Sequence, residues 1–169
     1  NAFFMAVDAS GNLYVASKSG NTVTKYNGST GGLPIGTPIS VASPTGIAFD
    51  ASGNIYVASY SGNTVTQYNS SGLSPVTFAN NLHISSPNGI GFDSAGNLYV
   101  GSYVGGFAGT VAQFSSTGSF LSTITTGGNV FGVAVGIPVP EPSAIVLLSL
   151  GGVVLLGGLL RKKLNPRLS

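Results

Sequence analysis

Between Pro44 and Ala79 the apolar positions fall into four short runs divided by polar turns. Gly46–Phe49 (GIAF) and Ile55–Ser59 (IYVAS) are apolar almost throughout, the pattern of a strand covered on both faces. Thr64–Asn69 (TVTQYN) alternates Thr and Gln with Val and Tyr, as a half-buried strand does. Leu73–Ala79 reads as a looser outer strand. DASGN (50–54) joins the first two runs. Its Asp can accept bonds from turn amides, and its Gly supplies a positive φ. Ser61–Asn63 and Asn69–Gly72 are the other turns. The pattern predicts four antiparallel strands in meander order.

The unit recurs. DASGNLYVASKSGNTVTKYN (8–27) returns as DASGNIYVASYSGNTVTQYN (50–69), with 17 of 20 positions identical. A third copy begins at Asp93 with DSAGNLYVGSYV, and the insertion GGFA precedes GTVAQFS (109–115). The spacings are 42 and 43 residues. Periods of this size belong to propeller blades or helical arrays, and the density of Gly, Ser, Thr and Asn around short β-branched and aromatic runs excludes helices. Four antiparallel strands per repeat is the blade of a β-propeller. Repeats are expected at about 4–45, 46–88 and 89–131. Asn129–Gly136 (NVFGVAVG) matches the first strand of a fourth blade, a partial repeat over 132–136. Three blades do not close a ring, since propellers use about four to eight. The expectation is therefore an all-β fold forming part of a larger ring, in a chain truncated at its N-terminus, with upstream strands and a signal peptide.

PTGIAFDASGNIYVASYSGNTVTQYN resembles an NHL-type propeller repeat, of the kind found in streptogramin-lyase-like and gluconolactonase-like proteins. The resemblance covers residues 4 to about 136 and implies the blade fold. It implies no single activity, because this repeat carries enzymes and binding modules alike. Where many such repeats have Asp after "YVA", this chain has Ser17 and Ser59, and Ser102 in the third copy.

Charge and chemistry narrow the function classes. Residues 1–137 hold Lys18 and Lys25 against Asp8, Asp50 and Asp93, a net charge of −1. The basic balance of the whole chain comes from the tail, where Arg161, Lys162, Lys163 and Arg167 face Glu141. Nucleic-acid binding would place the basic residues on the folded body, so no nucleic-acid partner is expected. With no Cys, disulfides and thiolate metal sites are excluded. The three Asp are repeat-equivalent turn residues, and DASGN lacks the calcium-loop pattern. No metal, cofactor or catalytic residue is assigned. His83, in NNLHISSP, is expected in the outer strand or a connection, exposed or hydrogen-bonded. Tyr14, Tyr56 and Tyr99 lie inside second strands and are expected in the core. Tyr60 and Tyr103 occupy matched loop positions, where the first blade has Lys18. They are candidate ligand-facing aromatics whose flat faces suit sugars or partner proteins, against the alternative of rim packing between blades.

The tail has three parts. Ile137–Ser143 (IPVPEPS) is a linker stiffened by proline. Ala144–Leu160 is 17 residues without a charge, eleven of them Leu, Ile or Val. They contribute roughly −3 to −7 kcal/mol toward insertion, so this run is expected to form one transmembrane helix, short for a span. Residues 161–169 begin with Arg161-Lys162-Lys163, a stop-transfer cluster that keeps the C-terminus cytoplasmic and the propeller outside.

Val139, Pro140, Glu141 and Pro142, an apolar run and a terminal basic cluster in this order resemble the PEP-CTERM sorting signal of Gram-negative bacteria. The resemblance implies recognition by exosortase, removal of the tail, and release or transfer to the cell surface, in organisms that make extracellular polysaccharide. The expected protein is an exported surface or matrix propeller. It passes transiently through the inner membrane and acts as a non-catalytic binding or structural module toward polysaccharide or envelope proteins. The alternative is a lyase-like or lactonase-like propeller enzyme whose catalytic cluster lies in missing blades. A permanently anchored receptor-like protein is a third reading.

Overall fold

A computed structural model describes residues 2–103 and 109–134. The chain divides into a body, 1–135, and a tail, 136–169. The linker, the apolar run 144–160, the VPEP motif and the basic cluster all lie outside the described residues.

The body is all-β, with twelve strands in three four-stranded antiparallel meanders. The first blade comprises β1 (Ala2–Val7), β2 (Leu13–Ser17), β3 (Thr22–Tyr26) and β4 (Ile39–Ser40). The second comprises β5 (Pro44–Phe49), β6 (Ile55–Ser59), β7 (Thr64–Tyr68) and β8 (Val76–Ala79). The third comprises β9 (Pro87–Phe92), β10 (Leu98–Ser102), β11 (Thr110–Phe114) and β12 (Phe120–Thr125). Each blade keeps sequence order across its sheet. No helix among the described residues is long and apolar enough to cross a membrane.

The register explains why the repeat sets its strands where it does. Ile47 pairs with Val57, as Met5 pairs with Val15 and Ile90 with Val100. Successive side chains point to opposite faces. Every blade therefore offers one face through its Leu/Ile and Val positions and the other through its Tyr and Ala positions. Tyr14, Ala16 and Val23 of the first blade pack on Ile47, Ile55, Val57 and Tyr68 of the second. Tyr56, Ala58, Val65 and Ala79 pack in the same way on Ile90, Leu98 and Val100 of the third.

The second blade is thus covered on both faces, and β6 is buried at all five positions. Among the described residues the end blades are not. Met5 is 60% exposed where its counterpart Ile47 is 2% exposed. Tyr99, expected in the core, is only half-buried, because its face meets no further blade among the described residues.

Residues 129–134 form no strand, since no partner strand pairs with them among the described residues. They nonetheless take up an inner-strand position. A Cβ on Gly46 would meet the Asn88 carbonyl and the Ile90 amide of β9, and one on Gly89 of β9 would meet Gly132 and the Val133 amide. The segment lies against β9 as β9 lies against β5.

Candidate functional site

Strand direction separates two ends of the body. The turns before β2, β6 and β10 lie at the lower end and hold all three Asp residues. In each, Asp Oδ1 accepts the backbone N–H groups two and four residues on, and Oδ2 accepts the side-chain amide of Asn12, Asn54 or Asn97. These carboxylates are engaged in closing their own turns. Burial pushes the Asp8 carboxyl up, but bonds from Asn12 and the Lys25 ammonium at 3.4 Å outweigh it and hold it below the usual range. The Asn97 amide lowers Asp93 in the same way.

At the upper end the residues after β6 and β10 are fixed by the connections between blades. Tyr60 N–H donates to Ser43 carbonyl at 3.0 Å, and Tyr103 N–H donates to Ser86 carbonyl at 3.1 Å. Asn21 Oδ1 accepts the Ser43 N–H at 2.8 Å, and Asn63 Oδ1 accepts the Ser86 N–H at 2.6 Å. Both Asn residues hold a positive φ, which Asn tolerates through its short polar side chain.

Ser59, the last residue of β6, works at this end too. Ser59 hydroxyl donates to Ala42 carbonyl at 2.6 Å while accepting Gly62 N–H at 3.1 Å. A hydroxyl can do both; an ionised carboxylate only accepts.

These bonds bring the two candidate aromatics side by side. The rings of Tyr60 and Tyr103 lie 6.5 Å apart and tilted by 41°. Lys18 Nζ sits 3.6 Å from the Tyr60 ring centroid and 5.1 Å from that of Phe3. Phe131, 66% exposed, extends the row at 6.0 Å from Tyr103. Reading the sequence missed Phe3 and Phe131 as members. Their signal was the repeat itself: Phe3, Thr45, Asn88 and Phe131 are equivalent positions at spacings of 42, 43 and 43.

Two side-chain oxygens, Asn88 Oδ1 and Asn129 Oδ1, are buried without a hydrogen-bond partner among the described residues. A shallow hollow of about 410 Å³, lined by Phe3, Lys18, Ser19 and Ser43, opens beside the row.

The remaining candidates lie elsewhere. His83 is exposed in the connection between β8 and β9, stacked on Phe120 at 3.8 Å. Among the described residues no three His, Asp or Glu side chains come together as a metal site would require. Tyr14 and Tyr56 are buried.

Residues 138–163 match the family described as the PEP-CTERM protein-sorting motif. No protein of curated function matches the sequence. Among solved structures, the body is similar to one in a nidogen/laminin complex, with 20% identity and a TM-score of 0.60 over 72% of this chain and 46% of that one. It is similar to virginiamycin B lyase from Staphylococcus aureus, with 14% identity and a TM-score of 0.62 over 80% of this chain and 45% of that one. A gluconolactonase from Xanthomonas campestris gives 20% identity and a TM-score of 0.62 over 77% and 48%. The chain spans less than half the length of each of these. At such identities the likeness establishes the fold and leaves the activities with those proteins. The chain therefore carries a PEP-CTERM protein-sorting motif at residues 138–163, joined to a body with the β-propeller fold.

Proposed function

We propose that this chain is an exported, non-catalytic propeller module delivered to the cell surface or extracellular matrix through exosortase processing, where it serves the polysaccharide-rich envelope as a binding or structural component. The observation that carries this reading is the sorting motif at 138–163 behind a propeller body. The apolar run 144–160 holds the chain in the inner membrane as an intermediate. Arg161, Lys162 and Lys163 keep the C-terminus cytoplasmic, and Val139–Pro142 present the motif to the sorting enzyme at the outer interface. Removal of the tail then frees the body. The non-catalytic part is supported by the three Asp carboxylates being held in their own turns and by His83 stacking on Phe120.

The test is expression of a tagged chain in a host with exosortase, comparing wild type with Glu141→Ala and Pro142→Ala. Wild type is expected at the surface or in the medium, lacking Arg161–Ser169 by mass spectrometry. Both variants are expected to stay in the membrane with the tail intact. Normal processing of both would overturn the sorting role of the motif, and a mature wild type that keeps its tail would mean a permanent anchor.

A further inference from the structure

We propose that the upper end of the body binds an acidic polysaccharide, a polyuronate chain, across the row Tyr60–Tyr103–Phe131 with Lys18 as the counter-charge. This names a ligand class for the binding module proposed above and rests on that reading only for its setting.

Two observations converge. The first is ring geometry. Aromatic pairs inside the body meet closely and edge-on, as Tyr14–Phe49 does at 5.0 Å and 66° and Tyr56–Phe92 at 4.7 Å and 75°. The Tyr60–Tyr103 and Tyr103–Phe131 pairs are wider, at 6.5 and 6.0 Å, and tilted by 41° and 46°. They do not share the close edge-on packing of the core pairs. A platform of successive rings suits a chain of successive flat units. The C–H faces of pyranose rings are such units.

The second is charge. All three Asp of the body, and Lys25 with them, lie at the lower end. Lys18 is the sole Asp, Glu, Lys or Arg at the upper end among the described residues. Its ammonium is held over the Tyr60 ring at 3.6 Å and faces no carboxylate of the body. A polyanion is therefore attracted to this end and repelled by the other. One lysine on a body of net charge −1 is too little for nucleic acid, whose binding rests on several phosphate contacts.

Aromatic rings and a cation together match a carboxylated, ring-based polymer.

The experiment uses the full 169-residue chain in a mild non-ionic detergent, with calcium-free alginate as the polyuronate and dextran as the neutral glucan. Binding is read by affinity electrophoresis and biolayer interferometry at low and high salt. Wild type is expected to bind alginate more tightly than dextran and to lose that preference as salt screens the cation. Tyr60→Ala and Tyr103→Ala are each expected to weaken binding about tenfold. Tyr60→Phe and Tyr103→Phe keep the ring faces and should bind nearly as wild type. Lys18→Gln should bring alginate down to the dextran level and remove the salt dependence. Circular dichroism melts confirm that each variant is folded. Absence of binding to either polymer, or equal binding by wild type and the Tyr60/Tyr103 double alanine variant, overturns the site. Equal affinity for alginate and dextran in wild type overturns the acidic ligand. Failed sorting with intact alginate binding would sink the export reading alone, and intact sorting without binding would sink this inference alone.

Discussion

Asn54 closes the turn around Asp50 from two sides: its side-chain amide donates to Oδ2 at 2.7 Å, and its backbone N–H donates to Oδ1 at 2.9 Å. Ser52 N–H and the Tyr56 hydroxyl add to the same carboxylate. Removing it leaves several donors without an acceptor. Asp50→Ala is expected to cost about 2 kcal/mol of stability, within the usual range for hydrogen bonds to charged groups, with Asp50→Asn costing less because its carbonyl oxygen still accepts. Urea melts followed by circular dichroism check the order.

The turns also give the body an acid limit. Asp8 and Asp93 have folded-state pKa values below their ordinary ones. A depressed carboxyl contributes stability above its unfolded pKa, about 3.9, and loses it as pH falls through the folded value. The melting temperature should therefore hold above about pH 4 and fall below it. The alkaline limit has the opposite sign. Burial, with Asp50 beside it, pushes the Tyr56 hydroxyl up to about 12. That stability is present below the unfolded value, about 10, and is lost as pH rises through the folded one. Tyr56→Phe should flatten the alkaline arm of a melting-temperature profile. A variant with the same alkaline arm as wild type would contradict the assignment.

Gly46 of β5 lies against β9, and a Cβ there would strike the Asn88 carbonyl. Backbone cannot step aside as a flexible side chain can. Gly46→Ala is expected to destabilise by about 1–3 kcal/mol, the ordinary cost of overpacking. Gly127→Ala, with open space around it, should be neutral. Thermal melts of the pair test whether the blades are locked at this contact.

Val15 and Val57 are the same repeat position in neighbouring blades. Val57 is fully buried between two blades, whereas Val15 is only half-buried on the outer face of the first. Val57→Ala should cost about 2–3 kcal/mol through lost burial and a cavity, and Val15→Ala less than about 1 kcal/mol. Equal costs in the 169-residue chain would mean that something else covers the first blade.

Much of the body was legible in its residues because the determining interactions are local. The DASGN turns close on themselves, and short runs of four to seven residues mark the strands, so β6 is found at the expected Ile55–Ser59. The expected inner strand at 46–49 and outer strand at 73–79 appear as β5, beginning at Pro44, and β8, beginning at Val76. Tyr99 shows the limit. Its sequence context closely matches that of Tyr56, yet its burial depends on whether another blade stands beside it. Residues 129–134 show the same limit, since a strand exists only where a partner pairs with it.

The sequence by itself determined the blade, the period and the sorting motif, because each rests on neighbours within one repeat or one short segment. It also determined that Tyr60 and Tyr103 hold equivalent loop positions. Only the tertiary structure decided that these rings lie side by side with Lys18 over one of them and Phe131 beyond the other. Those contacts join residues 28 to 43 positions apart, and they arise from stacking one blade on the next.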